Sequence, residues 1–265
     1  MFGAFASRHG GGGVQRSAFF NGTTSLLLAT DAGSPVDPIA TYCNFAVSDA
    51  FTIRAWVRAQ WSEFGAAAMT VHRRNPAAAE PYSTGWGFYV TTDGKVGAYF
   101  AGLITGVVSG AHSATSSAVL TDDTWHEVVC AYRPGESVGN KWLIRVDDDS
   151  KGITNIGDTI AGATTTFSAP MGMGGDTDKY QGYLRDVCVF NVSMSAGADA
   201  TELYNGGEII DPRTTALGAY LIGWPACGAP GDTPALVTNR AGDSLDYPNF
   251  AGTDIAFSTS LPGAP

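Results

Sequence analysis

The acidic side chains are the groups whose types and spacing come closest to supporting catalysis in this 265-residue sequence. The densest run is Asp147–Asp149, and Asp122 and Asp123 form a second cluster. Retaining hydrolysis of a glycosidic bond needs two carboxyl groups about 5–5.5 Å apart, which same-face residues of one strand can supply. Neither cluster alternates in this way, since both fall at predicted turns where solvated carboxylates are expected. The acidic residues therefore predict no catalytic pair.

The remaining nucleophiles and metal ligands form no recognisable constellation either. His126 follows Trp125, but no motif places a serine or cysteine nucleophile beside it, so we expect the imidazole to make a structural hydrogen bond. The cysteines are widely spaced without a C-x-x-C pair, which indicates reduced thiols and argues against a zinc or redox site. They are Cys43, Cys130, Cys188 and Cys227. The sequence thus predicts a protein that is not an enzyme.

Aromatic and acidic side chains in other contexts could bind ligands without catalysis. Trp56 lies on the less apolar face of a predicted strand, and Trp61 and Trp86 lie in loop-like or hairpin-edge contexts, so these three are the candidates for glycan binding. Packing in the core is the alternative for all three. Asp176 and Asp178 follow a glycine-rich strand and could supply oxygen ligands to Ca²⁺, with a solvated loop as the alternative. No other cofactor is predicted.

Composition limits the partners of this chain. It carries 15 Lys+Arg against 25 Asp+Glu, a net charge of −10, and only 15% of its residues are charged. Because a negative balance offers no basic surface to phosphates, a nucleic-acid partner is not expected. No run of apolar residues is long enough to span a membrane, and Met1–Gly13 lacks the apolar stretch of a secretory signal peptide. We therefore expect synthesis in a cytoplasm and no membrane span.

Short alternating segments separated by turns predict an all-β fold. Residues 51–59 alternate between an apolar and a more polar face, and residues 125–132 form another strand whose Trp125 is expected in the core. We predict that Trp125→Ala would destabilise the domain by about 3–5 kcal/mol. One short helix is predicted over 195–204, with Ser195 as its N-cap.

Three units are predicted along the chain. A glycine-rich, flexible arm covers 1–16, a single domain covers 17–224, and an extended C-terminal tail covers 225–265. The tail is rich in Pro, Gly, Asp and Asn, and its isolated apolar residues could wrap over a surface without building a core of their own.

Motifs within residues 17–207 resemble, in order, a laminin-G-like domain of the concanavalin A-like class. They are AFFNGTTSLLL (18–28), FTIRAWVRA (51–59), GFYVTTDGKVGAYF (87–100), DDTWHEVVCAYRPG (122–135), WLIRVDDD (142–149), MGMGGD (171–176) and the closing strand and helix of 180–207. The resemblance implies a jelly-roll sandwich of two antiparallel sheets that binds glycans, sometimes through calcium, or holds protein partners. A minority of such relatives are glycoside hydrolases or polysaccharide lyases. Arg185 stands where the family often carries the first residue of an acidic pair, which argues against a family-type calcium site.

The low charge and the two extensions lead to a first functional hypothesis, a non-enzymatic structural or attachment protein of a bacteriophage particle. It would be a capsid decoration, fibre or tail component in the virion, assembled with other virion subunits or as a homo-oligomer, and binding to cell-surface glycans remains open. The alternative is an extracellular, lectin-like carbohydrate-binding module. A polysaccharide-cleaving enzyme is the third hypothesis.

Overall fold

A computed structural model describes residues 16–30, 42–74, 85–104, 107–137, 139–147, 149–150, 153–158, 170–174, 179–194, 198–241, 249–259 and 261–262. Within these ranges the regular structure is almost entirely strand. The strands are β1 (Ser17–Asn21), β2 (Leu26–Thr30), β3 (Phe51–Arg58), β4 (Ala68–Arg74), β5 (Gly85–Val90), β6 (Lys95–Ile104), β7 (Val107–Val119), β8 (His126–Tyr132), β9 (Trp142–Val146), β10 (Asp149–Ser150), β11 (Ile153–Asp158), β12 (Met171–Met173), β13 (Gln181–Phe190), β14 (Leu221–Gly223), β15 (Leu236–Val237), β16 (Asn249–Thr253) and β17 (Ala256–Ser258). One short α-helix, α1, spans Ala198–Tyr204.

Two antiparallel sheets build the domain. The first sheet has the order β10-β9-β8-β3-β13-β1-β17, with β14 also paired to β13. The second has the order β11-β7-β6-β5-β4-β12-β2-β16-β15. Neighbouring strands are often distant in sequence, as in a jelly roll. The predicted all-β, antiparallel sandwich with one short helix is confirmed.

The main core lies between the two sheets, where alternation turns one face of each strand inward. On β3 this inner set is Phe51, Ile53, Ala55 and Val57, as the sequence pattern predicts. Phe51 stacks on Phe45 with ring centroids 4.3 Å apart. The apolar side of the amphipathic strand therefore fixes which face of the first sheet meets the second.

A second apolar layer covers much of the outer face of the first sheet. In this layer, Cys188 and Phe190 of β13 pack with Leu203 of α1 and with Trp224. Both faces of β3 are consequently buried along most of its length, from Phe51 to Val57. Alternation alone could not predict the outer burial, because the covering residues lie some 150 positions further along the chain.

The C-terminal segment is part of the sandwich, which corrects the prediction of a tail outside the domain over 225–265. β16 pairs with β2 in the second sheet, and β17 pairs with β1 in the first. Phe250 and Val237 are buried in the main core. Isolated apolar residues suffice here because each completes a core that the preceding strands have already formed.

Two predicted features, the N-terminal arm and the helix N-cap, lie largely outside the described residues. Of the predicted arm over 1–16, only Arg16 is described; its backbone N–H donates to the Gly228 carbonyl, and its guanidinium lies 5.4 Å from the ring centroid of Phe257. Ser195, the predicted helix cap, also lies outside them. The predicted end of the helix is observed, since Gly206 follows it with φ 66°, in the left-handed region that glycine adopts readily.

Candidate functional site

The Asp122 carboxylate anchors a loop between the two sheets. It accepts hydrogen bonds from the Trp61 backbone N–H at 2.6 Å and from the Ser62 hydroxyl at 2.6 Å. The Ser62 hydroxyl bond is the main reason that the pKa of Asp122 is lowered. The Asp122 carboxylate thus holds residues 61–62 against the turn that precedes β8, which is a structural role.

His126 and Asp147 form a pair that resembles a catalytic dyad in composition only. The Thr121 backbone N–H donates to His126 Nε2 at 3.0 Å, and His126 Nδ1 lies 2.5 Å from Asp147 Oδ2. Because Nε2 accepts a hydrogen bond, the proton must sit on Nδ1, where it is donated to the carboxylate. The lone pair that a general base would use is therefore occupied by the backbone, in agreement with the structural role predicted for His126.

Two further acidic groups are buried and paired with arginines. Glu127 Oε1 accepts from Arg54 Nε at 2.6 Å. Asp186 accepts from Arg185 Nε at 3.1 Å and from Trp224 Nε1 at 3.0 Å. Burial opposes the charge of Arg54, but the Glu127 carboxylate and its neighbours hold the pKa of Arg54 above its ordinary value. These pairs satisfy interior charges and do not line an open cleft.

The residues around Asp186 do not suit the calcium site of the resembled family. Both carboxylate oxygens of Asp186 accept hydrogen bonds in the interior, and the buried guanidinium of Arg185 lies beside them. The other candidates for calcium, Asp176 and Asp178, lie outside the described residues. Across the part of the chain that the structure describes, no three His, Cys, Asp or Glu side chains come together so that they could hold a metal ion.

The three tryptophans predicted as glycan contacts are buried. The exposed fraction is 2% for Trp56, 1% for Trp61 and 0% for Trp86. Trp56 stacks beneath Tyr204 at the end of α1, and Trp86 donates its Nε1–H to the Cys43 carbonyl. A stacking surface needs a ring face open to solvent, so the structure corrects this assignment in favour of the core alternative.

Trp125 shows the opposite error, since it was expected in the core and is only half-buried. It precedes β8 by one residue, and the alternation of that strand turns its side chain to the outer face of the first sheet. There its ring centroid lies 6.2 Å from that of Tyr183. The tryptophans that do lie in the core include Trp142, Trp86 and Trp61.

Trp125 belongs to an aromatic row that crosses three neighbouring strands of the first sheet and ends at the residue before β8. We define the aromatic row as Phe19 of β1, Tyr183 of β13, Arg58 of β3 and Trp125. Phe19 pairs with Tyr183, Tyr183 pairs with Arg58, and the Val57–His126 pairing places Trp125 next to Arg58. All four side chains are half-buried, so among the described residues the row belongs to a part of this outer face that the second layer leaves open.

The row combines ring surface with a fixed charge. Phe19 and Tyr183 have ring centroids 5.0 Å apart, and the Arg58 guanidinium lies 5.5 Å from the Tyr183 centroid. Asp123 Oδ1 accepts a hydrogen bond from Arg58 Nε at 3.1 Å and lies 3.0 Å from Nη2, and so orients this guanidinium. Gln181, two residues before Tyr183 and exposed, adds an amide on the same strand face. The arrangement can stack an apolar ring face and hydrogen-bond its polar substituents.

Sequence reasoning missed Phe19 and Tyr183 because the alternation around each residue is not specific to a binding site. Phe19 stands between inward-facing Ala18 and Phe20, and Tyr183 precedes inward-facing Leu184. Alternation around those positions would have assigned both rings outward. Their proximity depends on the β1–β13 register, which joins residues 164 positions apart and leaves no local signal.

Comparison with known proteins places this chain in a family. The family model described as the concanavalin A-like lectin/glucanases superfamily matches residues 30–198. No curated sequence matches the chain. Among the described residues, no helix has the length and apolar character needed to cross a bilayer.

Two solved structures have a similar fold. A Bacteroides ovatus protein assigned to carbohydrate binding superposes with a TM-score of 0.55 at 12% identity, over 95% of this chain and 62% of that protein. A heptameric SAP-like pentraxin from Limulus polyphemus gives a TM-score of 0.52 at 10% identity, over 92% of this chain and 94% of the pentraxin. At these identities the likeness concerns the fold. Because the family model covers more than half of its residues, the chain belongs to the concanavalin A-like lectin/glucanase superfamily.

Proposed function

We propose that this chain is a non-enzymatic, glycan-binding module that holds a saccharide on the aromatic row. The observation that carries the proposal is the juxtaposition of three half-buried rings, Phe19, Tyr183 and Trp125, with the Arg58 guanidinium on the outer face of the first sheet. The carbohydrate-binding assignment of the Bacteroides ovatus relative supports the same class of ligand.

The chemistry of a sugar ring fits this surface. A pyranose has C–H groups on its faces and hydroxyls around its edge, so it pairs with an aromatic face below and with polar groups beside it. Arg58 and the exposed Gln181 amide supply such groups next to Tyr183. Because Asp123 already orients the guanidinium, little side-chain entropy is lost when Arg58 donates to a ligand.

The non-enzymatic part of the proposal is supported by the roles of the titratable groups. Glu127 and Asp186 are engaged with interior arginines, and His126 has both ring nitrogens in structural hydrogen bonds. Each of these groups would have to leave its hydrogen-bond partner before it could exchange a proton with a substrate, and for Glu127 and Asp186 doing so would leave a buried arginine without its counter-charge.

A finer proposal concerns the setting, namely that the module is an attachment component of a bacteriophage particle. The low charged fraction of 15% and the glycine-rich residues 1–16 support a surface shared with other subunits or with further copies of the chain. The C-terminal segment no longer supports this proposal, because its strands complete the sandwich. A compact monomer of 27.5 kDa by light scattering, unaffected by removal of residues 1–15, would contradict assembly.

The binding proposal is tested by affinity electrophoresis in native gels containing dextran, laminarin, galactomannan or smooth bacterial lipopolysaccharide. We expect at least one polysaccharide to retard the protein, and Trp125→Ala to weaken that binding by about tenfold or more, as for a central aromatic contact. Trp125→Phe keeps a ring and should keep most of the binding.

Tyr220→Ala is the matched control, because Tyr220 is exposed but lies outside the aromatic row. Circular dichroism establishes that each variant is folded before binding is compared. Equal retardation of the parent and Trp125→Ala would contradict the proposed site, and migration of the parent as in a plain gel with all four polymers would contradict glycan binding.

A further inference from the structure

A groove opens on the outer face of the second sheet, on the side of the sandwich opposite to the aromatic row. It is lined by Tyr89, Thr91, Asp93, Lys95 and Thr115–Ser117, a set that we call the Tyr89 groove. Its volume is about 580 Å³, within the range of about 300–1,000 Å³ that is typical of small-molecule sites. No part of the protein's second apolar layer reaches this face among the described residues.

The floor of the groove is built by an aromatic ring lying on bare backbone. Tyr89 of β5 pairs with Gly97 of β6, and a methyl group at Gly97 would come within 2.2 Å of Tyr89 Cζ. The ring can therefore lie across β6 only because position 97 has no side chain. Tyr89 also packs against buried Met69 and Tyr99, yet it remains half-buried. A fixed ring with an open part is a pre-organised stacking surface.

Polar groups surround this ring and leave it without net charge. Lys95 Nζ lies 2.6 Å from Asp93 Oδ2, and the Thr91 hydroxyl donates to the same carboxylate. The hydrogen bond from Lys95 is the main reason that the pKa of Asp93 is lowered, which favours the carboxylate form of Asp93. Thr115 and Ser117 add hydroxyl-bearing side chains that are half-buried and exposed, respectively. An anion would face Asp93 and a cation would face Lys95, so the groove favours an uncharged ligand rich in hydroxyls.

We propose that the Tyr89 groove is a second saccharide-binding site, specific for an uncharged stretch of polysaccharide, which makes a single chain bivalent. The bivalence rests on the proposed function of the aromatic row, whereas the groove itself stands on its own geometry. Tyr89 supplies the ring contact, and Asp93 and Lys95 supply an acceptor and a donor for sugar hydroxyls.

The positions of the two sites favour cross-linking of separate polymers. Tyr89 faces outward from the second sheet and Trp125 faces outward from the first, so two bound chains would lie on opposite sides of the sandwich. The two sites also lie at the same end of the domain, since the short segment 118–124 leads from Ser117 of the groove to Trp125 of the row. Two weak sites on one rigid body gain apparent affinity for a network of polysaccharide chains through effective concentration.

The experiment compares the full chain with Tyr89→Ala, Trp125→Ala and the double variant in native gels containing laminarin, dextran or galactomannan. Each single variant should keep a weakened retardation, about tenfold below that of the parent, and the double variant should migrate as in a plain gel. Light scattering of the mixed polysaccharide and protein should rise for the parent only, because cross-linking needs both sites. Tyr220→Ala serves as the control for loss of an exposed tyrosine.

Gly97→Ala provides a second route to the groove, since it keeps the Tyr89 ring but displaces it from β6. It should weaken retardation to the same extent as Tyr89→Ala. If Tyr89→Ala and Gly97→Ala both behave as the parent while Trp125→Ala loses binding, the groove proposal is overturned and the aromatic row stands. If Trp125→Ala behaves as the parent while Tyr89→Ala loses binding, the groove stands and the row is overturned. Absence of retardation for the parent in all three gels overturns the groove proposal.

Discussion

Two arginine–carboxylate pairs lie on the same face of β3, four residues apart, in contrasting environments. The Arg54–Glu127 pair is buried, with side chains 0% and 2% exposed, and the Arg58–Asp123 pair is open, with side chains 27% and 66% exposed. The first lies beneath the layer that contains α1, and the second borders the aromatic row. One strand face thus passes from interior to surface within two repeats of its alternation.

The difference shows that coverage, more than residue type, decides which charges are structural and which can meet a ligand. Arg54 Nη2 donates to the Leu203 carbonyl of α1 at 3.2 Å, so the covering helix supplies a hydrogen-bond acceptor to the buried guanidinium. Arg58 packs against a ring where Arg54 meets the helix, since the Arg58 guanidinium lies over Tyr183. The same side chain therefore stabilises the fold at one position and is available for recognition at the other.

The largest expected effect comes from neutralising the buried carboxylate. Glu127→Gln should lower the free energy of unfolding by about 3–5 kcal/mol, because it leaves the Arg54 charge buried without a counter-charge. Urea unfolding followed by tryptophan fluorescence measures the change. The double variant Arg54→Met/Glu127→Met removes both charges and should recover most of the loss. A Glu127→Gln protein as stable as the parent would mean that water reaches this pair and that the second layer is not closed.

A smaller effect is expected where a neutral donor serves a buried carboxylate. Trp224→Phe keeps a ring in the second layer but removes the Nε1–H that Asp186 accepts at 3.0 Å, and should cost about 1.5–3 kcal/mol of unfolding free energy. Its counterpart on the open side, Trp125→Phe, should change the unfolding free energy by less than about 1 kcal/mol because the ring is only half-buried. Thermal unfolding of the two variants side by side tests the contrast, and equal losses would contradict it.

The inner half of this architecture could be predicted from the sequence and the outer half could not. Alternation in residues 51–59 identifies Phe51, Ile53, Ala55 and Val57 as core residues because a strand repeats every two positions. The same alternation places Arg54, Trp56 and Arg58 together on the outer face, and says nothing about which of them a later segment will cover. That information lies in tertiary contacts with α1 and with residues near 224.

The exchange of roles among the tryptophans has the same origin. Trp56 was a reasonable candidate for a ligand contact on an isolated strand, but Tyr204 stacks over it with centroids 6.1 Å apart. Trp125 was a reasonable core residue by its place in a Trp-His motif, but it lies one residue before β8 and alternates outward. In each case the residue type was compatible with both burial and exposure. Contact with the remote helix decided for Trp56, and the position one residue before β8 decided for Trp125.

The smallest expected effect is that of the open pair, and it isolates the role of coverage most directly. Asp123→Asn removes one charge without changing side-chain shape, as Glu127→Gln does, and asparagine tolerates the positive φ of 57° at this position. Because Arg58 remains partly solvated, the unfolding free energy should fall by only about 0–1 kcal/mol, and the difference should vanish in high salt. A loss comparable to that of Glu127→Gln would show that Arg58 is held as firmly as Arg54. If the loss is small while saccharide retardation weakens, Asp123 acts by orienting Arg58 for the ligand, as the proposed function of the aromatic row requires.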